Sequence, residues 1–472
     1  MEARRKGKRR SIDVPSSYLD AALAGGGRPF PRLPAADSRT PTAGPAAGAS
    51  RVSRQRPSRR SRARSKPSRI GVALAGGGPL GGIYEIGALV ALAESLEGMD
   101  FNDVDIYVGV SSGAFIAAGL ANGLTPARMC RMFIESHSDE QPFEPEVLLK
   151  PAFKEYLTRA AAVPPLLLAS MWHYVTNPWG QNFLESFERL ARAIPTGIFN
   201  SAGVGEFLTK LFSEPGRTND FRELRHKLYL VATDLDSGES VQFGAPGWDH
   251  VPIATAVQAS AALPGLFPPV EIGGRYYVDG ALKKTLHASV ALQQGVDLVL
   301  CINPLVPFDS VLAAQRGHPK RHKLVEGGLP VVLSQTFRAI IHSRMQVGMG
   351  KYATEFADAD VILFEPNRDD ADMFFTNVFS YASRRRLSEH AYQKTRADIF
   401  RRRHELAPIL ARHGIRVRLD VLTDPERRLL TGDGRKRRRA TATAAAAGRL
   451  AECLDDLQRW IDMRAARQRR AA

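Results

Sequence analysis

The chain has 472 residues, of which 44 % are apolar, and a formal net charge of +16. This length suits one large domain with tails, or two domains, and the apolar fraction is sufficient for a sizeable core. No stretch approaches the roughly 18 uninterrupted apolar residues of a membrane-spanning helix, and no apolar signal-peptide core follows the basic N-terminus. We therefore expect neither a transmembrane helix nor secretion by a signal peptide, although the Arg- and Ser-rich residues 1–69 leave a transit peptide open.

The positive charge is concentrated at the two ends of the chain. Residues 1–69 hold 18 Lys and Arg against 4 Asp and Glu, and residues 432–472 hold 11 against 5. The remaining residues, 70–431, hold 36 against 40 and are slightly acidic. This distribution argues against nucleic-acid binding by the protein as a whole. The tails are interpreted either as a contact with an anionic partner, phospholipid headgroups or nucleic acid, or as solvated segments without a partner.

Cysteine usage excludes a disulfide framework. Three cysteines lie far apart without C-x-x-C spacing, at Cys130, Cys301 and Cys453. An odd number at such spacing predicts small buried or incidental residues and no zinc site. We expect a reducing, cytoplasmic location, with peripheral membrane contact as an open alternative, and no metal or organic cofactor. The oligomeric state is not predictable from the sequence.

Apolar runs alternate with helical segments through the middle of the chain. Strands are predicted at 70–75, 105–110, 228–233, 240–243 and 298–303, and helices at 83–96 and 112–120. Such runs indicate an α/β fold with a mixed, mostly parallel sheet between two layers of helices. We divide the chain into a disordered basic tail (1–68), a main domain (69–305), a mainly helical extension (306–431) and a basic Ala-rich linker with a short amphipathic helix (432–472).

The main domain contains a helical insert at about residues 124–226. Its apolar stretch, 163–179, is interpreted as a buried helix or, alternatively, as a lid or helix that binds at a lipid interface.

The most informative motif is GVSSG, at Gly109 to Gly113, because an apolar strand precedes it and a helix of small residues follows it. G-x-S-x-G in this setting predicts a sharp turn that presents the hydroxyl of Ser111 near a helix N-terminus. The flanking Gly109 and Gly113 remove the Cβ atoms that would clash at the turn. The alternative is a turn in which Ser111 only caps the helix. Ser112 is a second candidate nucleophile without the symmetric glycine spacing.

A glycine-rich segment, GGGPLGG, follows the first strand. Unobstructed backbone N–H groups in such a loop could stabilise an oxyanion. The segment also matches the dinucleotide fingerprint G-x-G-x-x-G, but the strand that this motif requires next comes only at residue 105. A third segment, YYVDGAL, places Asp279 at the end of a short strand, where it could accept a proton from Ser111; an Asp-Gly pair is also common in simple turns.

Taken together, these segments resemble the patatin-like phospholipase family in type, order and spacing. The resemblance covers about residues 69–305 and includes ASAALPGLFPPVEIGGRYYVDGA and VATDLDSGESVQFG. It implies a lipid acyl hydrolase that cleaves carboxylic esters of phospholipids or related lipids through an acyl-enzyme. It further implies Ser111 as nucleophile, Asp279 as the base of a Ser–Asp dyad, and an oxyanion hole shaped by Gly76, Gly77, Gly78 and Gly81.

Two positions depart from the family pattern. Leu80 stands where the family often has Arg or Lys, and KKTLHAS follows the Asp-Gly pair where the family often has Asn-Pro. A catalytically inactive, lipid-binding relative therefore remains an alternative.

Two further hypotheses come from other classes. A Ser-His-Asp esterase would need a late histidine, for which the candidates are His287, His342, His390, His404 and His413. A non-enzymatic adaptor would bind nucleic acid or membranes through the basic residues 1–69 and 435–439. For the Ser–Asp hypothesis, we expect an apolar acyl site, lined in part by Leu263, Leu266 and Phe267, that raises the pKa of Asp279.

Overall fold

The protein is described from a computed structural model, which covers residues 67–135, 195–316, 323–375 and 381–429. The predicted tail helix at 450–463, the apolar stretch 163–179 and Cys453 lie outside these ranges. In the described part of the chain, no helix is long and apolar enough to cross a membrane.

A mixed sheet forms the centre of the fold. Its strand order is β6-β7-β4-β3-β1-β8-β9, and β5 pairs with β4 beside this path. Strands β1, β3, β4, β8 and β9 run parallel, whereas β5 and β7 run antiparallel to β4. The strands are β1 Ile70–Leu74, β3 Ile106–Gly109, β4 Lys227–Asp234, β5 Ser240–Phe243, β6 Val270–Ile272, β7 Arg275–Asp279, β8 Leu298–Ile302 and β9 Asp360–Phe364. A separate two-stranded ribbon joins β2 Leu96–Glu97 to β10 Arg416–Val417.

Helices cover both faces of the sheet, as the apolar strands require. Alternate residues of β1 point to opposite faces, so that Val72 and Leu74 belong to one core and Ala73 to the other. The first core takes side chains from the helices Gly78–Ser95, Ser112–Ala121, Ile253–Ser260 and Tyr381–Arg401, and the second from the helices Ala288–Gln293 and Gly328–Glu355. The helices are α1 Gly78–Ser95, α2 Ser112–Ala121, α3 Pro126–Cys130, α4 Ala202–Phe212, α5 Ile253–Ser260, α6 Ala288–Gln293, α7 Ser310–Gln315, α8 Gly328–Glu355, α9 Ala371–Phe375, α10 Tyr381–Arg401, α11 Arg403–Arg412 and α12 Leu419–Thr423.

This architecture confirms the predicted fold class, a mixed and mostly parallel sheet between helices. Cys130 and Cys301 are buried free thiols, as expected for small core residues. Strand β9 was not predicted, and it extends the main sheet beyond β8.

One predicted boundary is wrong. The first helix begins at Gly78, five residues before the expected start at residue 83. Pro79 occupies the first turn, where its missing N–H costs nothing and its fixed φ favours the helix. Gly78 and Gly81, expected in a loop, therefore lie in the first turn of α1.

Candidate active site

The candidate site lies where two neighbouring parallel strands end. Strands β1 and β3 are paired in register, with Leu74 opposite Gly109. Gly76 and Ser111 each follow two residues later, and a Cβ added at Gly76 would lie 3.0 Å from the Ser111 Cβ. The absence of a side chain at Gly76 thus lets the glycine segment approach the serine closely.

The backbone of Ser111 adopts a strained conformation between β3 and α2. Its φ of 53° is the only positive value at a non-glycine position among the described residues. Such a conformation costs about 1–3 kcal/mol and persists only where surrounding contacts hold it. The Ser111 N–H donates to the Ser260 Oγ at 2.9 Å, and the Ser260 hydroxyl donates to the Val231 carbonyl oxygen at 2.6 Å. Strand β4 and helix α5 therefore hold the turn.

The two glycines around the serine have no room for a side chain. A Cβ at Gly109 would lie 2.6 Å from the Ala114 Cα, and one at Gly113 would lie 2.4 Å from the Leu74 carbonyl oxygen. Helix α2 can therefore begin directly against the end of β1. Its N-terminus consequently opens next to Ser111, and the N–H groups of Ala114 and Phe115 donate to the Ser111 carbonyl oxygen at 3.0 and 3.3 Å.

Asp279 is the last residue of β7 and is buried. Its N–H donates to the Ala262 carbonyl oxygen at 3.0 Å, and its Oδ1 accepts the Ala281 N–H at 2.8 Å. Burial raises the pKa of this carboxyl group from 3.8 to about 6, against the opposing effects of the hydrogen bonds from the Ala281 backbone and the Ser111 side chain. The raised pKa makes this carboxyl group a stronger base than an exposed aspartate, and the Ser111 side chain is among the groups that influence that pKa.

The glycine segment packs against the loop that follows β8. A Cβ at Gly77 would lie 2.6 Å from the Pro304 Cγ, and one at Gly81 would lie 2.9 Å from the same atom and 3.1 Å from the Ser112 Oγ. Gly78, with a φ of +60°, turns the chain into α1. The N-termini of α1 and α2 therefore both open near Ser111, where the helix dipoles favour negative charge, and the Gly81 N–H itself donates to the Gly77 carbonyl oxygen at 3.0 Å.

The segment after Asp279 has its own support. Burial, followed by the charge of Lys284, lowers the pKa of His287 from 6.5 to about 3, although hydrogen bonds to the backbone of Gly280 and Lys284 oppose this shift. A neutral, buried His287 thus fixes the turn in the segment KKTLHAS, which differs from the family pattern. Gly280 is also constrained, since a Cβ there would lie 2.3 Å from the Val231 carbonyl oxygen.

The other candidate histidines make contacts elsewhere. His390 pairs with Asp370 at 2.7 Å, and His413 pairs with Asp360 at 2.8 Å. His342 contacts Gln346 at 3.1 Å, and the His404 side chain is exposed. None of these contacts involves Ser111 or Asp279.

Leu263, Leu266 and Phe267 follow the Ala262 carbonyl group that holds Asp279. Leu263 and Phe267 are half-buried and Leu266 is exposed, and the Leu266 carbonyl oxygen accepts the Phe199 N–H at 2.8 Å. Their role in an acyl site stays a prediction.

In the described ranges, one group of side chains has a spacing compatible with a metal ion: Asp370, Asp372 and His390, within 4.8 Å of one another. His390 and Asp370 are joined by a hydrogen bond of 2.7 Å. None of the three contacts the candidate site residues described above.

Sequence reasoning missed four residues that position the site: Val231, Ser260, His287 as a support, and Pro304. The small-residue helix α5 contains two hydroxyl side chains, Thr255 and Ser260, so the sequence did not single out Ser260. Carbonyl supports such as Val231 leave no trace in a side-chain pattern.

The fold and site define an α/β protein with a serine at a strained strand-to-helix turn. Residues 72–292 match the family model described as patatin-like phospholipase. The chain therefore contains a patatin-like phospholipase domain, which confirms the resemblance inferred from the motifs. This match supports lipid hydrolase activity in general terms.

Similar solved structures include VipD from Legionella pneumophila, with 18 % identity over 53 % of this chain and 52 % of that chain, and a TM-score of 0.27. The type III effector protein ExoU has 16 % identity over 70 % of this chain and 52 % of that chain, with a TM-score of 0.29. Full-length ExoU in complex with SpcU, from the type III secretion system of Pseudomonas aeruginosa, has 18 % identity over 61 % and 54 %, with a TM-score of 0.24. The chain spans about half the length of the solved structures that it matches.

Proposed function

We propose that this protein is a lipid acyl hydrolase in which Ser111 is the nucleophile and Asp279 is its base. The observation that carries the proposal is the buried Asp279 carboxyl group, whose pKa is raised to about 6 and which hydrogen-bonds the side chain of Ser111. At pH 7 such a group is about nine-tenths ionised, and it is a much better proton acceptor than a carboxylate of ordinary pKa.

In the first half of the reaction, the Ser111 Oγ attacks the ester carbonyl carbon while its proton passes to Asp279. Negative charge develops on the carbonyl oxygen, and the N–H groups at the starts of α1 and α2 stabilise it. The C–O bond to the alcohol then breaks, and the alcohol leaves with the proton from Asp279. An acyl group remains on Ser111.

In the second half, water donates a proton to Asp279 and attacks the acyl carbonyl carbon. The intermediate collapses, Ser111 regains its proton and the fatty acid leaves. Glycine at positions 76, 77, 78 and 81 keeps the oxyanion site free of side chains. Because these donors belong to the backbone, the chemistry does not require a cation at Leu80.

The substrate is proposed to be a phospholipid or a related long-chain ester, on the strength of the family match. The neutral His287 supports the Asp279 turn and favours an active enzyme over an inactive relative. The involvement of the four other histidines in contacts elsewhere, or their exposure, favours a Ser–Asp dyad over a Ser-His-Asp triad. Contact of the basic tails with anionic membranes and a cytoplasmic location remain part of the proposal.

Labelling with a fluorophosphonate probe, followed by mapping of the modified peptide, tests this proposal. The label is expected on Ser111 in the wild type, to persist in Ser112→Ala, and to be lost in Ser111→Ala and greatly slowed in Asp279→Asn. Labelling of Ser112, or undiminished labelling of folded Asp279→Asn, would contradict the assignment. Hydrolysis of matched phospholipid and acylglycerol substrates then identifies the preferred lipid.

A further inference from the structure

The long helix α8 has an inverted distribution of polarity. A surface helix ordinarily buries its apolar side chains and exposes its polar ones. In α8, six large apolar side chains are exposed: Leu329, Val332, Leu333, Phe337, Ile340 and Val347. At about 100° per residue they fall within an arc of about 140° on one side of the helix. We call these six residues the apolar stripe.

The opposite side of α8 buries polar groups. Arg338 is 8 % exposed and His342 is 6 % exposed, next to the buried Ile341 and Met345. The Arg338 guanidinium donates to the Val306 carbonyl oxygen at 3.3 Å and stacks on the Phe374 ring at 5.1 Å. Burying a guanidinium group in the protein while exposing a phenylalanine side chain to water lowers the stability of the fold. The exposed stripe is therefore a surface that an apolar partner would cover.

The stripe belongs to the same edge of the sheet as the candidate active site. The Gln335 side chain and the Phe308 backbone exchange two hydrogen bonds, of 3.1 and 2.7 Å. Phe308 and Val306 follow the carboxyl end of β8, as does Pro304, which packs against Gly77 and Gly81. The N-terminal half of α8 is thus fixed to the loop that borders the glycine segment.

The charge on this side of α8 is positive. Arg344 and Lys351 are exposed, and by their spacing they lie within about 60° of Leu329 around the helix. Neither has an ion pair with the described part of the chain. The helix contains a single acidic residue, Glu355, which is its last residue and lies on the same side as the stripe, four residues after Lys351. Apolar side chains beside unpaired basic residues are typical of helices that lie in the interface of an anionic membrane.

We propose that the apolar stripe of α8 is a membrane-docking face, which inserts between lipid headgroups while Arg344 and Lys351 contact anionic ones. A second copy of the chain fits less well, because the single acidic residue of α8, Glu355, lies about two turns beyond Val347, the last residue of the stripe. Docking through α8 would bring the edge of the sheet that carries Ser111 to the lipid surface. The inference concerns binding and is separable from the proposed chemistry.

The test compares vesicle binding by the full-length wild type with that of the double variant Leu333→Ser/Phe337→Ser, whose side chains are 44 % and 43 % exposed. Phosphatidylcholine vesicles containing phosphatidylglycerol are used at low and at high salt, because salt weakens binding by the basic tails but not apolar insertion. The matched control, Leu235→Ser/Leu419→Ser, removes side chains that are 51 % and 52 % exposed elsewhere on the surface. At high salt, we expect binding at least ~10-fold weaker in the stripe variant and unchanged in the control.

An environment-sensitive fluorophore gives an independent measurement. It is attached at Phe337→Cys or at Leu419→Cys in a Cys453→Ser background, since Cys130 and Cys301 are buried. A blue shift on vesicles at position 337 but not at 419 is expected. Equal spectra at the two positions, or equal loss of binding in the stripe and control variants, would overturn the proposal. So would a dimer of the wild type that the stripe variant converts to monomers without any change in vesicle binding.

Turnover of a short soluble ester separates this inference from the proposed function. The stripe variant should hydrolyse it at the wild-type rate. If the wild type fails to hydrolyse any ester yet binds vesicles through α8, the catalytic proposal fails and the docking face stands. If the ester is hydrolysed but vesicle binding does not depend on the stripe, the docking face fails and the catalytic proposal stands.

Discussion

The raised pKa of Asp279 makes a quantitative prediction about the pH dependence of hydrolysis. A carboxyl group with a pKa of about 6 must lose its proton before it can accept one from Ser111. Its ionised fraction is about nine-tenths at pH 7 and about one-tenth at pH 5. We therefore expect kcat/KM for a soluble ester to fall about tenfold for each unit of pH below 6, with an apparent pKa near 6.

A fluorogenic ester, soluble below its critical micelle concentration, avoids pH effects on a lipid surface. Circular dichroism at each pH must show that the protein remains folded over the range used. Asp279→Asn should lower kcat/KM by roughly 10²- to 10⁴-fold and remove the acid limb from whatever activity remains. The Asn side chain can still accept the hydrogen bond from Ala281, so the local backbone should persist.

Two results would refute this reasoning. An acid limb near pH 4 in a folded wild type would mean that burial does not raise the pKa of the base. A limb near pH 6 that survives in Asp279→Asn would assign it to another group, and the neutral His287, with its pKa lowered to about 3, could not supply it.

Three further predictions concern stability and backbone geometry. Because folding raises the pKa of Asp279 from 3.8 to about 6, the ionised carboxylate destabilises the fold above pH 6, by about 3 kcal/mol at pH 7, and this effect vanishes below pH ~4. Asp279→Asn should therefore raise the melting temperature at pH 7 and lose that advantage in acid; a lower melting temperature at pH 7 would contradict this sign. Ser260→Ala leaves the Ser111 N–H without its acceptor, which should lower the free energy of unfolding by about 1–3 kcal/mol and slow fluorophosphonate labelling. Unchanged labelling would show that the Ser111 turn is maintained without this hydrogen bond. Gly81→Ala places a Cβ 2.9 Å from the Pro304 Cγ and should abolish activity. The control Gly350→Ala, with no atom within 4 Å of the added Cβ, should keep its activity. Equal activity of the two variants would argue against the oxyanion role of the glycine segment.

The sequence predicted the parts of the fold that repeat a simple pattern. Buried parallel strands appear as short apolar runs, so β1, β3, β4 and β8 were located to within a residue or two. The start of α1 was misplaced because glycine and proline usually signal a loop, whereas here Pro79 forms the first turn of the helix. Strand β9 was missed because three of its five residues are only partly buried and because the surrounding sequence has a helical pattern.

The candidate site likewise contains residues that the sequence predicted and residues that it did not. Ser111, Asp279 and the glycines carry motifs, so their types and order could be recognised along the chain. Their supports act through long-range contacts: Ser260 lies 149 residues from Ser111 and reaches it through a backbone N–H. The inverted polarity of α8 was likewise invisible, because its apolar residues predict a helix but do not reveal which face is buried.

The backbone of Val231 in the central sheet contacts the support of Ser111, the proposed nucleophile, and closely approaches Gly280, the residue after the proposed base. The Val231 carbonyl oxygen accepts the Ser260 hydroxyl that holds the Ser111 N–H. The same carbonyl oxygen would lie 2.3 Å from a Cβ at Gly280, directly after the base. Ser111 is thus tied to β4 through Ser260, and Asp279 pairs with Ala232 of the same strand. Such rigidity would favour the proposed Ser–Asp dyad, since loss of alignment by an ångström can cost about 100-fold in rate.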